Sequence, residues 1–203
     1  MSIVWIGLIA LFCWLMIGLT LPYLSFETDV DFLLTKQKII HLKHWRYAFY
    51  VHILFSIFSL VAGLTQFSDY ILTKHKRLHR MMGYVYVFDV VCLAGPSGLI
   101  LAVYANGTPV SKSSFVLLSF LWILFTVLAL VKALKKEFAA HQAWMIRSYA
   151  LTLSAITLRL LALVLPRFVH FDAHTEYALI AWLSWTLNLL IAEWIIHSRK
   201  LAA

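Results

Sequence analysis

Ionisable side chains inside strongly apolar segments are the residues of this chain that could do chemistry. The segment 141–159 has the composition of a membrane-spanning helix, yet it begins with His141 and contains two arginines. Ionisable groups are costly to bury in a bilayer, so they mark a partner, a pathway or a cofactor. At about 100° per residue, Ser148, Thr152 and Arg159 lie within about 20° of the histidine on one helix face. We expect this polar face to look inward, away from lipid.

Two histidines are predicted to lie at the same membrane depth. His79 begins the third apolar segment and His141 begins the fifth, and both segments run outward from the same membrane face. One imidazole from each of two helices is the ligand set of a six-coordinate haem b. We therefore expect these histidines to bind iron, with Arg80 placed to hold the haem propionates. The alternative is that the two histidines contact lipid head groups or cap helix ends.

Further polar groups fall at depth within the apolar segments. His52 lies in the second segment, where it opens a stripe of small and polar residues that ends at Gln66. Such stripes favour close helix contacts or a cavity wall. Asp89 lies near the middle of the third segment, where a lone carboxyl should be neutral or paired. The cofactor-binding set is predicted to be His79, His141, His52, Arg80 and Arg147, and the other intramembrane polar residues are Gln66, Asp89, Arg159, Asn188 and Glu193.

Four of these polar residues also have simpler structural interpretations. Arg147 and Glu193 have comparable depths on the fifth and sixth segments, which predicts an ion pair that joins the two helices. Asn188 is expected to form a hydrogen bond with a neighbouring helix. Arg159 lies close to the outer surface, where its side chain can extend toward water.

The composition places the chain among membrane proteins. It has 203 residues, of which 63% are hydrophobic and 13% charged. Apolar runs of about 18 residues or more recur along the chain, as expected for spanning helices. The net charge of +8 is modest and sits at segment ends, so it indicates orientation and contact with the lipid bilayer, with no nucleic-acid binding. The cysteines, Cys13 and Cys92, lie in apolar segments and suggest neither disulfides nor a thiolate metal site.

The predicted fold is an all-α, polytopic bundle of six transmembrane helices that forms a single domain, 1–203. Each segment is close to the length of about 20 residues that a bilayer core requires. The predicted spans are 2–24, 46–70, 80–105, 113–133, 142–165 and 176–197.

Basic residues predict the orientation of these spans. Three connections or ends that share one membrane side are basic, which predicts that this side is cytoplasmic and that both termini are cytoplasmic. The basic residues concerned are Lys74, Lys76, Arg77, Arg80, Lys132, Lys135, Lys136, Arg199 and Lys200. The loop 25–45 is also basic, but its acidic residues come first and it is longer.

The chain resembles the bacterial multipass membrane proteins of the domain-of-unknown-function 2306 family. The matching motifs are His52 with Gly63-Leu-Thr-Gln66, Leu78-His79-Arg80-Met-Met-Gly83, His141-Gln-Ala-Trp144-Met-Ile-Arg147-Ser-Tyr149 through Arg159, and Trp185-Thr-Leu-Asn188 with Glu193. They cover most of residues 45–197. The resemblance implies a small polytopic protein of the bacterial inner membrane, and it implies no established activity.

A looser, positional likeness is to cytochrome b561 and related ferric reductases. Those proteins carry haem ligands on alternate helices of a four-helix core. His79 and His141 match the third-and-fifth pair in position and direction, and His52 resembles the second-helix ligand. The fourth segment, 113–133, contains no histidine, so the likeness implies one haem on the cytoplasmic side. A second carrier, such as a quinone, would then be needed to carry electrons across the bilayer.

Three hypotheses of function follow. The first is a haem-binding protein of membrane electron transfer, with a quinone or another redox protein as partner. The second is a small-molecule or proton-coupled transporter that uses His52, Asp89, Arg147 and Glu193. The third is a structural or assembly subunit that binds a membrane partner. The sequence favours the first and leaves the oligomeric state open.

Overall fold

The computed structural model describes residues 3–198, and every regular element in that range is helical. The chain forms two compact units, residues 1–101 and residues 102–203. The all-α class predicted for this chain is confirmed, and each unit is built from helices packed on one another.

The first unit contains three long apolar segments and one short helix. Its helices are α1 (Ile3–Thr20), α2 (Lys43–Gln66), α3 (Asp69–Lys74), α4 (Lys76–Phe88) and α5 (Gly95–Val103), and short 3-10 helices cover Leu21–Ser25 and Asp31–Lys36. Helix α2 packs against α1 on one side and against α4 on another. It is therefore the central helix of this unit.

A π-helical segment joins α4 to α5 at Asp89–Ala94. The Gly95 N–H donates to the carbonyl of Val90, five residues earlier, which is the π pattern. Pro96 follows and has no N–H, so the helix loses a further donor at this point. The sequence Gly95-Pro96 thus leads to a locally widened helix, which continues as one spanning element over Lys76–Val103.

Up to residue 198, where the described residues end, the second unit contains four helices. They are α6 (Pro109–Leu134), α7 (Phe138–Thr152), α8 (Ser154–Phe168) and α9 (Ala173–Ser198). Helix α9 contacts the other three, and α6 packs along α7. Helices α7 and α8 follow one another with only Leu153 between them and together form the span Phe138–Phe168.

A glycine controls the entry into α6. Gly107 has a φ of +82°, and a Cβ on it would lie 2.7 Å from Tyr177 Cδ1 and 2.8 Å from Ser111 Oγ. Both the backbone conformation and the space therefore require glycine. Pro109 then occupies the first turn of α6, where its missing N–H has no helical partner to lose.

Within the described residues, five helices are long and apolar enough to cross a membrane. They are Lys43–Gln66, Lys76–Val103, Pro109–Leu134, Phe138–Phe168 and Ala173–Ser198. They correspond to the second through sixth predicted spans, with ends that differ by up to four residues. The predicted first span, 2–24, begins outside the described residues; from residue 3 it forms α1 and the following 3-10 helix. The predicted second span ends at Gln66 and not at residue 70, because Ser68 caps the separate helix α3.

Candidate functional site

His141 is held by the backbone of the neighbouring helix. It is the fourth residue of α7, and its Nδ1 lies 2.8 Å from the carbonyl oxygen of Ala129 on α6. A carbonyl can only accept a hydrogen bond, so Nδ1 must carry the proton. In the neutral imidazole, Nε2 then keeps its lone pair and can act as a ligand or a base.

The polar face predicted for the fifth segment packs on α6 from His141 to Thr152. The Thr126 hydroxyl donates to the Trp122 carbonyl at 2.7 Å, so Ser148 is the donor in the 2.7 Å bond between the two hydroxyls. The Trp122 indole N–H donates to Thr152 Oγ1 at 2.9 Å. Ser148 and Thr126 are fully buried. This hydrogen-bonded seam aligns α6 with α7 and places the Ala129 carbonyl opposite His141.

Arg159 does not share this inward face, so that part of the prediction is wrong. Helix α7 ends at Thr152 and α8 begins at Ser154. The regular rotation of about 100° per residue stops at this junction, and residues beyond it point elsewhere. The Arg159 side chain is exposed, and its guanidinium donates to the Ala155 carbonyl of its own helix at 2.9 Å.

Asn188 spans the junction from the opposite helix. Its Nδ2 donates to the Ala150 carbonyl of α7 at 3.1 Å, and its Oδ1 accepts from the Thr157 hydroxyl of α8 at 3.0 Å. The predicted hydrogen bond between Asn188 and a neighbouring helix is therefore confirmed. One amide on α9 connects the end of α7 to the start of α8, which stabilises the junction.

The predicted ion pair between the fifth and sixth segments is also present. Arg147 Nε lies 2.5 Å from Glu193 Oε1, and Nη2 lies 2.9 Å from Oε2, which is bidentate geometry. The guanidinium also stacks 4.6 Å from the centre of the Trp144 ring. Its Nη1 atom is buried and has no acceptor among the described residues. Arg147 therefore contacts α9, whereas His141, six residues earlier on α7, contacts α6.

His52 in the first unit repeats the arrangement seen at His141. It is the tenth residue of α2, and its Nδ1 lies 2.8 Å from the carbonyl oxygen of Ala94 at the end of the π-helical segment. The Ser97 hydroxyl donates to the same carbonyl at 3.1 Å and to that of Leu93 at 2.6 Å. These side chains supply the hydrogen bonds that the π turn and Pro96 remove from the helix backbone.

Gln66 connects the inner ends of α2 and α4. Its Nε2 lies 3.3 Å from the carbonyl oxygen of His79, and a Cβ on Gly83 would lie 3.1 Å from its Oε1. Gly83 thus makes room for the glutamine side chain. Gln66, which contacts His79, lies fourteen residues after His52 on α2, or about 21 Å along the helix. His52 and His79 are therefore too far apart to ligate the same iron.

The structure leaves other members of the predicted cofactor set as predictions. His79 belongs to the first unit and His141 to the second, and Arg80 is exposed on α4. Within the described residues, no group of three or more histidine, cysteine or carboxylate side chains could hold a free metal ion. A haem needs only two protein ligands, so its binding does not require such a group.

Asp89 is buried in the middle of a spanning helix. Its exposed fraction is 3%, and it is the first residue of the π-helical segment. Ser59 of α2 faces its carboxyl and is fully buried. Neither carboxyl oxygen accepts a hydrogen bond in the described part of the chain.

Sequence reasoning missed the α6 side of the seam. Trp122, Thr126 and Ala129 recur at intervals of four and three residues, which places them on one helical face. Thr126 and Ala129 are a polar and a small position in a stretch of large apolar residues. That spacing was the available signal, but the Ala129 backbone carbonyl that binds His141 has no signature of its own.

Comparison with known proteins identifies the family but no characterised relative. No curated protein and no solved structure matches the chain. A family model described as predicted membrane protein (DUF2306) matches residues 49–196 and so includes all the side-chain contacts described above. The chain is an integral membrane protein that belongs to this family.

Proposed function

We propose that the protein binds haem b and acts in membrane electron transfer, with His141 as an axial ligand. The observation that supports the proposal is the 2.8 Å contact between His141 Nδ1 and the Ala129 carbonyl. Histidines that bind metals usually donate their other ring N–H to a carbonyl or carboxylate, which sets the tautomer and the ring orientation. His141 has this arrangement, so its Nε2 lone pair is available to iron.

The rest of the second unit keeps this imidazole in place. The hydroxyl and indole contacts between α6 and α7 prevent the two helices from sliding, so the histidine and its carbonyl partner stay in register. The Arg147–Glu193 pair joins α7 to α9 in the same way. A ligand on a rigid helix pair needs little reorganisation when iron changes its charge. When bound, haem would supply reversible one-electron transfer.

His79 is the predicted second ligand of this iron, and His52 stays in the proposed cofactor-binding set as a histidine of the second span. The His52 imidazole donates to the Ala94 carbonyl as His141 does to that of Ala129. A quinone or a redox protein is the proposed electron partner. The proposed location is the bacterial inner membrane, with both termini in the cytoplasm.

An absorption spectrum of the detergent-purified protein, first oxidised in air and then reduced with dithionite, tests the proposal. We expect a Soret band and, after reduction, the sharp α and β bands of low-spin haem b. The haem content per protein should fall at least tenfold in His141→Gln, which keeps a donor for the Ala129 carbonyl and removes the iron ligand. His174→Ala, which changes a histidine at the opposite end of the second unit, is the matched control and should keep its haem.

The variant His79→Ala tests the predicted second ligand of the iron. It should lose the low-spin bands of the reduced protein. A flat spectrum from folded protein expressed with added haem would refute the redox proposal. A His141→Gln variant with unchanged spectrum and haem content would refute the assignment of the ligand.

A further inference from the structure

The carboxyl of Asp89 is placed where an ionised side chain is unusually costly. It lies near the midpoint of the span Lys76–Val103 and is 3% exposed. Desolvating a carboxylate is unfavourable unless a cation or several hydrogen-bond donors replace the water. Within the described residues, neither Asp89 oxygen accepts a hydrogen bond.

Charged groups on the two elements that pack against the π-helical segment lie far from Asp89. On α2, which contributes Ser59 at this level, the nearest arginine or lysine along the helix is Arg46, thirteen residues or about 20 Å away. On α4 the nearest is Arg80, nine residues or about 13 Å before Asp89. The spacing therefore gives the carboxyl no neutralising partner on either element.

The titratable neighbours on these two elements are a histidine and a tyrosine. His52 on α2 is seven residues from Ser59, and its Nδ1 proton goes to the Ala94 carbonyl at 2.8 Å. Tyr86 on α4 is fully buried, three residues before Asp89. Neither forms a hydrogen bond with the Asp89 carboxyl.

The direction of the Ser59 hydroxyl suits a carboxyl that carries a proton. The Ser59 O–H donates to the Ser56 carbonyl at 2.8 Å, so its proton points along its own helix. With its proton directed to Ser56, the Ser59 hydroxyl oxygen has lone pairs left to accept a hydrogen bond. A protonated carboxyl can donate to these lone pairs, whereas a carboxylate would only be repelled by them.

We propose that Asp89 forms a proton-binding site at the centre of the membrane, in which the carboxylic acid donates to the Ser59 hydroxyl oxygen. The π-helical segment carries the acid at its first position, and local π-helical turns are frequent at functional sites. The ligand of the site is a proton. The proposal is independent of haem binding, because every group that forms the site belongs to the first unit.

Infrared spectroscopy of the protein in lipid vesicles tests this directly, because a protonated carboxyl has a carbonyl-stretch band that a carboxylate lacks. At pH 7 the water-exposed carboxyls of the chain are ionised. We expect one protonated-carboxyl band in the native protein and its loss in Asp89→Asn. Glu193→Gln is the matched control, since Glu193 is ion-paired with Arg147, and this variant should keep the band.

A second variant separates the proposal from a mere change in folding. In Ser59→Ala the proton acceptor is lost but the carboxyl remains, so the band should persist and move to higher frequency. If Asp89→Asn has the same band as the native protein, or if neither shows one, Asp89 is ionised and the proposal is overturned. An unchanged band position in Ser59→Ala would overturn the role of Ser59 as the acceptor.

Discussion

The Arg147–Glu193 pair allows the sharpest test of how the second unit is held together. The perturbation is the removal of each partner alone and of both together, as Glu193→Met, Arg147→Met and the double variant. The exposed fractions of the two side chains are 13% for Arg147 and 52% for Glu193. Removing the glutamate therefore leaves a largely buried guanidinium without its counter-ion, whereas removing the arginine leaves a carboxylate that is still half exposed.

The magnitudes follow from this asymmetry. Breaking a buried ion pair by removing one partner costs about 3–5 kcal/mol. Because Glu193 is half exposed, we take the lower end, about 3 kcal/mol, for Glu193→Met. Arg147→Met should cost less, about 2 kcal/mol, since the remaining carboxylate is better solvated. The double variant should cost only about 1–2 kcal/mol, because it leaves no uncompensated charge. The expected coupling energy is therefore about 3–4 kcal/mol.

Reversible unfolding in mixed micelles with increasing SDS gives the free energy of unfolding for all four proteins. The Lys132–Glu137 pair is the internal control, because its side chains are 31% and 45% exposed, and such pairs contribute at most about 1 kcal/mol. A coupling energy no larger than that of the control would refute the reasoning. It would mean that the bidentate pair adds nothing beyond a surface contact.

Three further outcomes are expected from the same unfolding assay. Asn188→Leu should lower the free energy of unfolding by about 2 kcal/mol, since it removes both hydrogen bonds across the junction of α7 and α8. A cost below about 0.5 kcal/mol would show that the junction does not depend on the Asn188 amide. Gly83→Leu should lower the free energy of unfolding by about 1–3 kcal/mol, because the larger side chain displaces Gln66. In Gly83→Ala the gain in helix propensity offsets a small shift of the Gln66 side chain. Equal costs for the two variants would contradict this packing. The hydrogen bond from Lys132 holds the pKa of Glu137 below its ordinary value. The ionised Glu137 therefore stabilises the folded protein above its unfolded-state pKa, and this stabilisation is lost as the pH falls through its folded-state pKa. Lys132→Met should remove part of that acid-side loss, and an identical pH profile would argue against the contact.

Much of the architecture can be predicted from the length of the apolar segments and from the free-energy cost of burying charged side chains. The length and apolarity of the segments predict spanning helices. Within the described residues, five of the six predicted spans are helices long enough to cross a membrane, and α1 lies in the remaining one. The Arg147–Glu193 pair and the hydrogen bonds of Asn188 could be predicted from depth alone. The reason is general: in hydrocarbon a polar side chain must find a partner, and the partners at its depth are few.

The position of Arg159 shows where such reasoning ends. A continuous helix of 3.6 residues per turn would place it on the face of His141, but the chain interrupts the helix at Leu153, where there is neither glycine nor proline. The amide of Asn188, 35 residues later in the chain, contacts both sides of the interruption. The local sequence contains no signal for a junction whose hydrogen bonds come from another helix.

By itself, the sequence determined the all-α membrane class, the family, and the side chains that need partners in the membrane. Only the tertiary structure decided which atoms those partners are, such as the Ala129 carbonyl for His141 and the Ala94 carbonyl for His52. The physical reason is that every residue has a carbonyl with the same chemistry. Which one accepts a given hydrogen bond depends on how two helices lie against each other, and no side-chain pattern encodes that.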